Sequence, residues 1–356
     1  MTVTFRSIDT GVRSGRRQIA FDEALVDLHR EGAVPDTVRF LRFPPTVLIG
    51  RHQAMRHEVK VDHCQRNGIG LARRITGGGA IYLDEGQVGW ELVLSRARLP
   101  MSDLGTYTVA ICEAVAHGLS QAFDLPAQFR PRSDIEVDGR KICGTGGFFD
   151  GDTLIYQGTV LVDVDPARMM ACLNVPDVKP AERDLDRAEQ RVTTLQAVLG
   201  EAPSVARVHE AVLAGLRDGL GIRIEPGAIT EREEQLAAEH GAAFIETDDF
   251  VFEIDDPGGS DVLRGEHKAP GGRLCAYVRL EGAGAACRLR EVLLTGDFFV
   301  TPPRAIFDLE AALRGVMLPA VADKIDAHFA EAAIGLATIQ AGDVKAALAA
   351  ALARDA

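Results

Sequence analysis

Apolar residues recur at helical spacing over residues 17–30, where Ile19, Ala20, Ala24, Leu25 and Leu28 fall near one face. Residues 37–43 and 46–50 then read as two strands joined by Pro44-Pro45, a pair that breaks any helix. A short helix over 59–67 closes at Gly68. Strand-like runs flank a glycine triplet at 71–75 and 80–83, and another follows at 88–94. Residues 102–123 predict a long helix carrying Leu104, Val109, Ile111, Val115 and Leu119. Asp138-Gly139 between apolar runs predicts a hairpin of 134–137 with 140–144. Residues 154–156 and 159–164 form either a further strand pair or one long bent strand. Helices are expected at 166–173, 193–199, 205–220 and 229–240.

The run Asp255-Asp256-Pro257-Gly258-Gly259 has the chemistry of a linker or tight turn. Beyond it the pattern gives strands at 274–281 and 287–295 and a helix at 306–314. Two alanine-rich helices follow, at 320–332 and 341–353. No repeat at a fixed period is present. The expectation is an α+β domain over 1–255 followed by a smaller α+β domain over 256–356.

The 356 residues suffice for two domains, and 46% hydrophobic with 26% charged residues is ordinary globular composition. A net charge of −13, from 39 basic and 52 acidic residues, argues against a broad basic face, so nucleic acid is excluded as a partner. The six cysteines, Cys64, Cys112, Cys143, Cys172, Cys275 and Cys287, contain no CxxC pair and suit reduced thiols in the cytoplasm. Residues 1–17 are polar, with four arginines and no apolar stretch, unlike a secretory signal. No apolar run approaches the roughly 20 residues that cross a bilayer, so no membrane is expected either. His57, Glu58, His63 and Cys64 match no familiar zinc spacing. Phosphate-loop, dinucleotide-binding and serine-hydrolase strings are missing from the sequence.

The most informative segment is Arg73-Arg74-Ile75-Thr76-Gly77-Gly78-Gly79-Ala80-Ile81-Tyr82-Leu83-Asp84. Three glycines between strands let the backbone approach a ligand and turn N–H groups toward an anion, with two arginines alongside. On glycines alone a solvated hairpin loop is an equal reading. The whole string resembles the signature of lipoate–protein ligase A and its relatives, the biotin ligases and octanoyltransferases. Phe21-Asp22-Glu23-Ala24 and the run from Pro45 to Gln53 are similar to that family as well. So are the runs from Ser133 to Gly144 and from Tyr156 to Leu161. Gly271-Gly272-Arg273, Gly296-Asp297-Phe298-Phe299 and Leu309-Glu310 resemble the ligases' accessory C-terminal domain.

The resemblance implies a biotin/lipoate ligase-like catalytic domain, mixed sheets flanked by helices, with the accessory domain on the same chain. It implies an ATP-dependent ligase. Lipoate, or octanoate, would be activated to the acyl-AMP and passed to a lysine of a lipoyl-domain or H-protein-like carrier. A dedicated lipoate-binding protein of sulfur oxidation is a further acceptor of that type. Lys141 would be catalytic, a compact cation between acid and phosphate. The adenylate would lie along Arg73, Arg74, Thr76, Gly77, Gly78, Gly79, Asp134, Gly144, Gln157 and Gly158, with Asp134 also a magnesium ligand. ATP and magnesium are thus the implied cofactors, and a cytoplasmic monomer the implied form. Val88, Trp90 and Leu92 are candidate lining for the acyl tail.

Three positions depart from the family pattern: Ser133 stands for asparagine, and Leu83 and Gln157 stand for histidines. Two other functions compete. One is an octanoyltransferase carrying the acyl group as a thioester on Cys143, which lies two residues from Lys141, although a small buried strand residue also explains that cysteine. The other is a degenerate protein that binds acyl group or carrier without turnover.

Overall fold

The computed structural model describes residues 3–131, 133–174, 191–332, 334 and 336–353. They separate into two compact units. The first holds the described residues of Met1–Leu48, Lys60–Ala72 and Ile81–Phe250, the second those of Ile49–Val59, Arg73–Ala80 and Val251–Ala356. The second unit thus begins shortly before the linker expected at 255–259, and it takes in two earlier segments, one carrying the glycine triplet.

Up to residue 250 the strands are β1 (Thr4–Val12), β2 (Thr37–Arg42), β3 (Thr46–Ile49), β4 (Gly70–Arg73), β5 (Ile81–Leu83), β6 (Gln87–Ser95), β7 (Gln128–Arg130), β8 (Asp134–Val137), β9 (Arg140–Asp150), β10 (Thr153–Leu161) and β11 (Arg223–Pro226). Eight of them form one sheet in the order β11-β1-β2-β6-β10-β9-β8-β7, and β4-β3-β5 form a smaller one. In the large sheet β1 runs parallel to β2 and β11, and the other neighbours are antiparallel. Strand β1 has no apolar alternation to announce it: only Phe5, Ile8 and Thr10 are buried, and pairing on both edges holds it in place. The stretch left open at 154–164 is one continuous strand, β10.

One face of the sheet is sealed by the helices Leu104–Phe123 and Val205–Leu220, which bury Tyr107, Ile111, Val115, Val208, Val212 and Leu216. These helices approach to backbone contact at Gly118 and Gly215. A Cβ on either would overlap a carbonyl of the other helix, so side-chain-free positions are required there. On the opposite face lies the helix Gly15–Arg30, capped by Ser14. The helix expected at 59–67 is Val61–Arg66, in the first unit; a separate short helix, Met55–Glu58, belongs to the second unit.

The second unit contains the antiparallel sheet β12 (Leu263–Ala269), β13 (Gly272–Glu281) and β14 (Arg288–Gly296), together with the short pair β15 (Val300–Thr301) and β16 (Leu336–Ala337). Helices Arg304–Leu313, Val321–Glu331 and Ala341–Leu352 share its apolar core with Leu274, Ala276 and Leu294. The last helix seats directly on β12: a Cβ at Gly265 would strike the backbone at Ala347 and Ala351. Small residues on that helix are what allow such an approach.

Candidate active site

Strands β8 and β9 form the expected hairpin, turning through Asp138 and Gly139, both at positive φ (51° and 75°). Its register shifts once. Asp134 pairs with Gly144 and Ile135 with Cys143, but Glu136 pairs with Lys141, leaving Ile142 as the extra residue of a bulge. Paired residues share a sheet face, so the bulge puts Lys141, Glu136, Asp134 and Gly144 on one side and Cys143 with Ile135 on the other. The i, i+2 spacing that suggested Cys143 beside Lys141 is therefore corrected by the bulge.

On its face, Lys141 folds over Gly144 and sets its Nζ 2.8 Å from Oδ1 of Asp134. A Cβ at Gly144 would overlap that Nζ, so the glycine makes room for the ammonium. Arg130 also pairs with Asp134. Burial alone would raise the Asp134 carboxyl, yet the two cations hold it below the usual carboxylate range. With both partners engaged, Asp134 holds Lys141 in place. Among the described residues no three His, Cys, Asp or Glu side chains gather as a metal site.

The same face continues across β10. Thr159 lies opposite Gly144, and Gln157 opposite Gly146. Two glycines thus floor a trough with Lys141 on one bank and Gln157 and Thr159 on the other. Gln157 in turn lies opposite Glu91 on β6, which lies opposite Arg39 on β2. Arg39 and Glu91 are completely buried and Asp22 almost so. Arg39 pairs with Asp22 of the helix Gly15–Arg30 and, at 3.4 Å, with Glu91; it also donates to Oε1 of Gln18 at 2.7 Å. Nε2 of Gln157 donates to Oδ2 of Asp22 at 2.9 Å and to Oε2 of Glu91 at 2.8 Å. Burial pushes the Glu91 carboxyl up to about 7, with Asp22 adding to the shift and Arg39 opposing it. The Glu91 carboxyl therefore titrates near neutrality. Gly158 serves another purpose: its missing Cβ admits the Trp90 ring on the helix-covered face.

The arginine and glycine residues of the signature belong to the second unit. Arg73, 1% exposed, donates to the carbonyls of Gly50, Arg51, Gln53, Val251 and Ile254. Arg74 donates to the carbonyls of Gly77 and Gly79, closing the loop on itself, and burial lowers it to about 10. Thr76 accepts from the amide of Arg51 through its carbonyl at 2.8 Å. Gly77 is packed against the Phe298 backbone. Gly78, at φ +97°, lies under the Phe299 ring, where an L side chain would be strained as well as crowded. Gly79 has only Asp297 near its open side. The structure thus brings Lys141, Asp134, Gly144 and Gln157 together in one unit and Arg73, Arg74, Thr76 and the triplet together in the other.

The expected lining of the acyl tail changes, while the reading of Cys143 as a small buried strand residue holds. Val88, Trp90 and Leu92 are fully buried in the core beneath the helices, on the face opposite Lys141, so they do not line the trough. The thiol of Cys143 is likewise enclosed in that core, and burial pushes it up to about 12, far from a ready thiolate. Sequence reasoning missed Arg39 and Glu91. The signal was one acid between Trp90 and Leu92 in an otherwise apolar strand, matched by one arginine between Val38 and Phe40.

Residues 14–217 match the model of the lipoyl protein ligase A/B catalytic domain. The chain belongs to that family. Among family members, an octanoyltransferase LipM of Symbiobacterium thermophilum is 32% identical over 260 residues, 67% of this chain and 94% of the relative. The lipoate-protein ligase A subunit 1 of Thermoplasma acidophilum is 30% identical, over 63% of this chain and 87% of its own. The solved bipartite lipoate protein ligase of T. acidophilum, studied with its E2 lipoyl domain, superposes with a TM-score of 0.64 at 28% identity, covering 72% of this chain and 99% of that one. Plasmodium falciparum LipL1 shares the fold over 93% of this chain, with a TM-score of 0.72 at 14% identity.

These relatives overturn one expectation from the sequence. Octanoyltransferases, matched across nearly their whole length, outrank the ligase subunit in similarity, so the ATP-dependent lipoate ligase reading is replaced by the transferase alternative. ATP and magnesium belong to the replaced reading and are not carried further. What stands is a lipoyl- or octanoyl-transferring enzyme of the lipoyl protein ligase A/B family. No helix among the described residues is long and apolar enough to cross a membrane.

Proposed function

We propose that this enzyme is an octanoyltransferase that moves a medium-chain acyl group from a thioester donor to the ε-amine of a lysine on a lipoyl-domain acceptor. The observation that carries the reading is the match to octanoyltransferases over 94% of a relative's length. The acceptor is inferred from the T. acidophilum lipoylation system, described as a bipartite ligase and its E2 lipoyl domain.

The trough on β8, β9 and β10 supports this chemistry. An amine attacks the thioester carbonyl, the carbonyl electron pair moves onto oxygen, and collapse of the tetrahedral species expels the donor thiolate. The amine proton leaves to that thiolate through solvent. No nucleotide enters the balance. The Lys141 ammonium, fixed by Asp134 at 2.8 Å, stands ready for the developing oxyanion. Cys143 is enclosed on the other face, which favours direct transfer in a ternary complex over an acyl-enzyme on that thiol. The protein then supplies proximity and orientation.

The test is incubation of the full chain with octanoyl-pantetheine and a lipoyl domain, without nucleotide, followed by intact-mass measurement. Addition of one octanoyl group is expected. Labelling that requires free octanoate and ATP instead would overturn the proposal.

A further inference from the structure

Gln157 stands in the middle of the trough, opposite Gly146. Its amide is fixed in one orientation. Both hydrogens of Nε2 are taken, by Oδ2 of Asp22 and Oε2 of Glu91. Turning the amide over would set its oxygen against two carboxyl groups whose retained proton is already taken in the hydrogen bond between Glu91 and Asp22, so the flipped state is disfavoured. The oxygen left facing outward makes no hydrogen bond among the described residues, and the side chain is half-buried on the Lys141 face. One fixed acceptor and one fixed cationic donor thus stand on either side of a floor made by Gly144 and Gly146.

We propose that the side-chain carbonyl of Gln157 accepts a hydrogen bond from the attacking lysine amine and aims its lone pair at the acyl carbonyl held beside Lys141. The inference rests on the transferase reading above. The two polar groups match the two reactants in sense: an amine offers N–H to an acceptor, while an acyl oxygen needs a donor. An amide is too weak a base to take the proton, so Gln157 orients the nucleophile and the proton still leaves with the thiolate. Asp22 and Glu91 touch no substrate, since they are buried beneath Gln157; they are positioning residues that lock its amide. Arg39, paired to both, keeps the two carboxyls in place.

The polarity of the arrangement can be tested by exchange. A neutral histidine at 157 would donate one ring N–H to the carboxyls and offer the other nitrogen as acceptor. A protonated one would offer only donors. Transfer from octanoyl-pantetheine to a lipoyl domain is followed with the wild type, Gln157→Leu and Gln157→His from pH 5.5 to 8.5. Gln157→Leu is expected to lower kcat by between about tenfold and a hundredfold, with KM for octanoyl-pantetheine unchanged. Gln157→His is expected to recover activity as pH rises past about 6.5, so that its ratio to wild type climbs. A structural role alone would not produce that climb. Wild-type kcat in Gln157→Leu, or a pH-independent His-to-wild-type ratio, overturns the inference while leaving the transferase reading intact. If Gln157→Leu fails to fold by circular dichroism, the histidine ratio decides alone. A wild type that transfers nothing from the thioester overturns the transferase reading and this inference with it.

Discussion

The Nζ of Lys141 lies 2.8 Å from Oδ1 of Asp134, the two side chains meeting above Gly144 on one face of a bulged hairpin. An ammonium so held is aimed before substrate arrives. Lys141→Ala is expected to lower kcat for octanoyl transfer by about a hundredfold to a thousandfold, by analogy with loss of an oxyanion donor. Lys141→Arg should not restore it, because the planar guanidinium cannot occupy the same compact place. Asp134→Asn should cost less, about tenfold, since it loosens the ammonium without removing it. Initial rates of acceptor labelling by intact mass check all three.

Gly144→Ala separates packing from chemistry. The new methyl group meets the flexible end of Lys141 rather than backbone, so the side chain can swing aside. The expected result is a melting temperature near wild type with transfer reduced about as far as in Asp134→Asn. A variant with full activity would show that the ammonium is not needed where it lies.

Cys143→Ala removes a thiol enclosed in the helix-covered core and pushed up to about 12. Direct transfer predicts activity within about twofold of wild type, with a stability loss of about 1 kcal/mol from the small cavity. Complete loss of transfer, with accumulation of unreacted octanoyl-pantetheine, would restore the acyl-enzyme route.

Glu91 gives stability a pH signature. Its carboxyl is raised in the folded state to about 7 from an ordinary value of 4.5. Between those values the folded protein holds more protons than the unfolded chain, so stability falls as pH rises through that window. Glu91→Gln abolishes this contribution. Relative to wild type, the variant should therefore gain stability at pH 8 compared with pH 5, as read by urea midpoints at the two values. An unchanged difference would place the retained proton elsewhere.

In the second unit, Arg73 satisfies five backbone carbonyls with one side chain that is 1% exposed. Arg73→Ala leaves those acceptors without their charged donor. A loss of about 3 kcal/mol or more is expected, visible as an earlier chemical unfolding transition.

Much of the fold was legible because its helices and central strands carry strong periodicity. Residues 205–220 are helical as read, and the Asp138-Gly139 turn lies where its residue types require it. Strands β1, β7, β11 and β12 were not legible, since they are held by neighbours on the sheet and carry charged or polar residues throughout. Lys141 and Asp134 stood out through their family pattern. The partnership of Gln157 with Asp22 and Glu91 did not, because it joins three elements that no local spacing connects. The side of the sheet was also illegible for Cys143 and for Trp90. Alternation fixes relative faces only while the register is unbroken, and which face the helices cover is a tertiary fact.

Ile142, the surplus residue in β9, acts as a half-turn in an otherwise regular ribbon. Were the strand to take it into regular register instead, Ile142 would pair with Glu136 and the neighbouring lysine would turn toward the oily layer under the helices. A charged amine has no tolerable place there. One apolar amino acid, itself remote from any reacting atom, thereby decides which compartment of the molecule receives the positive charge.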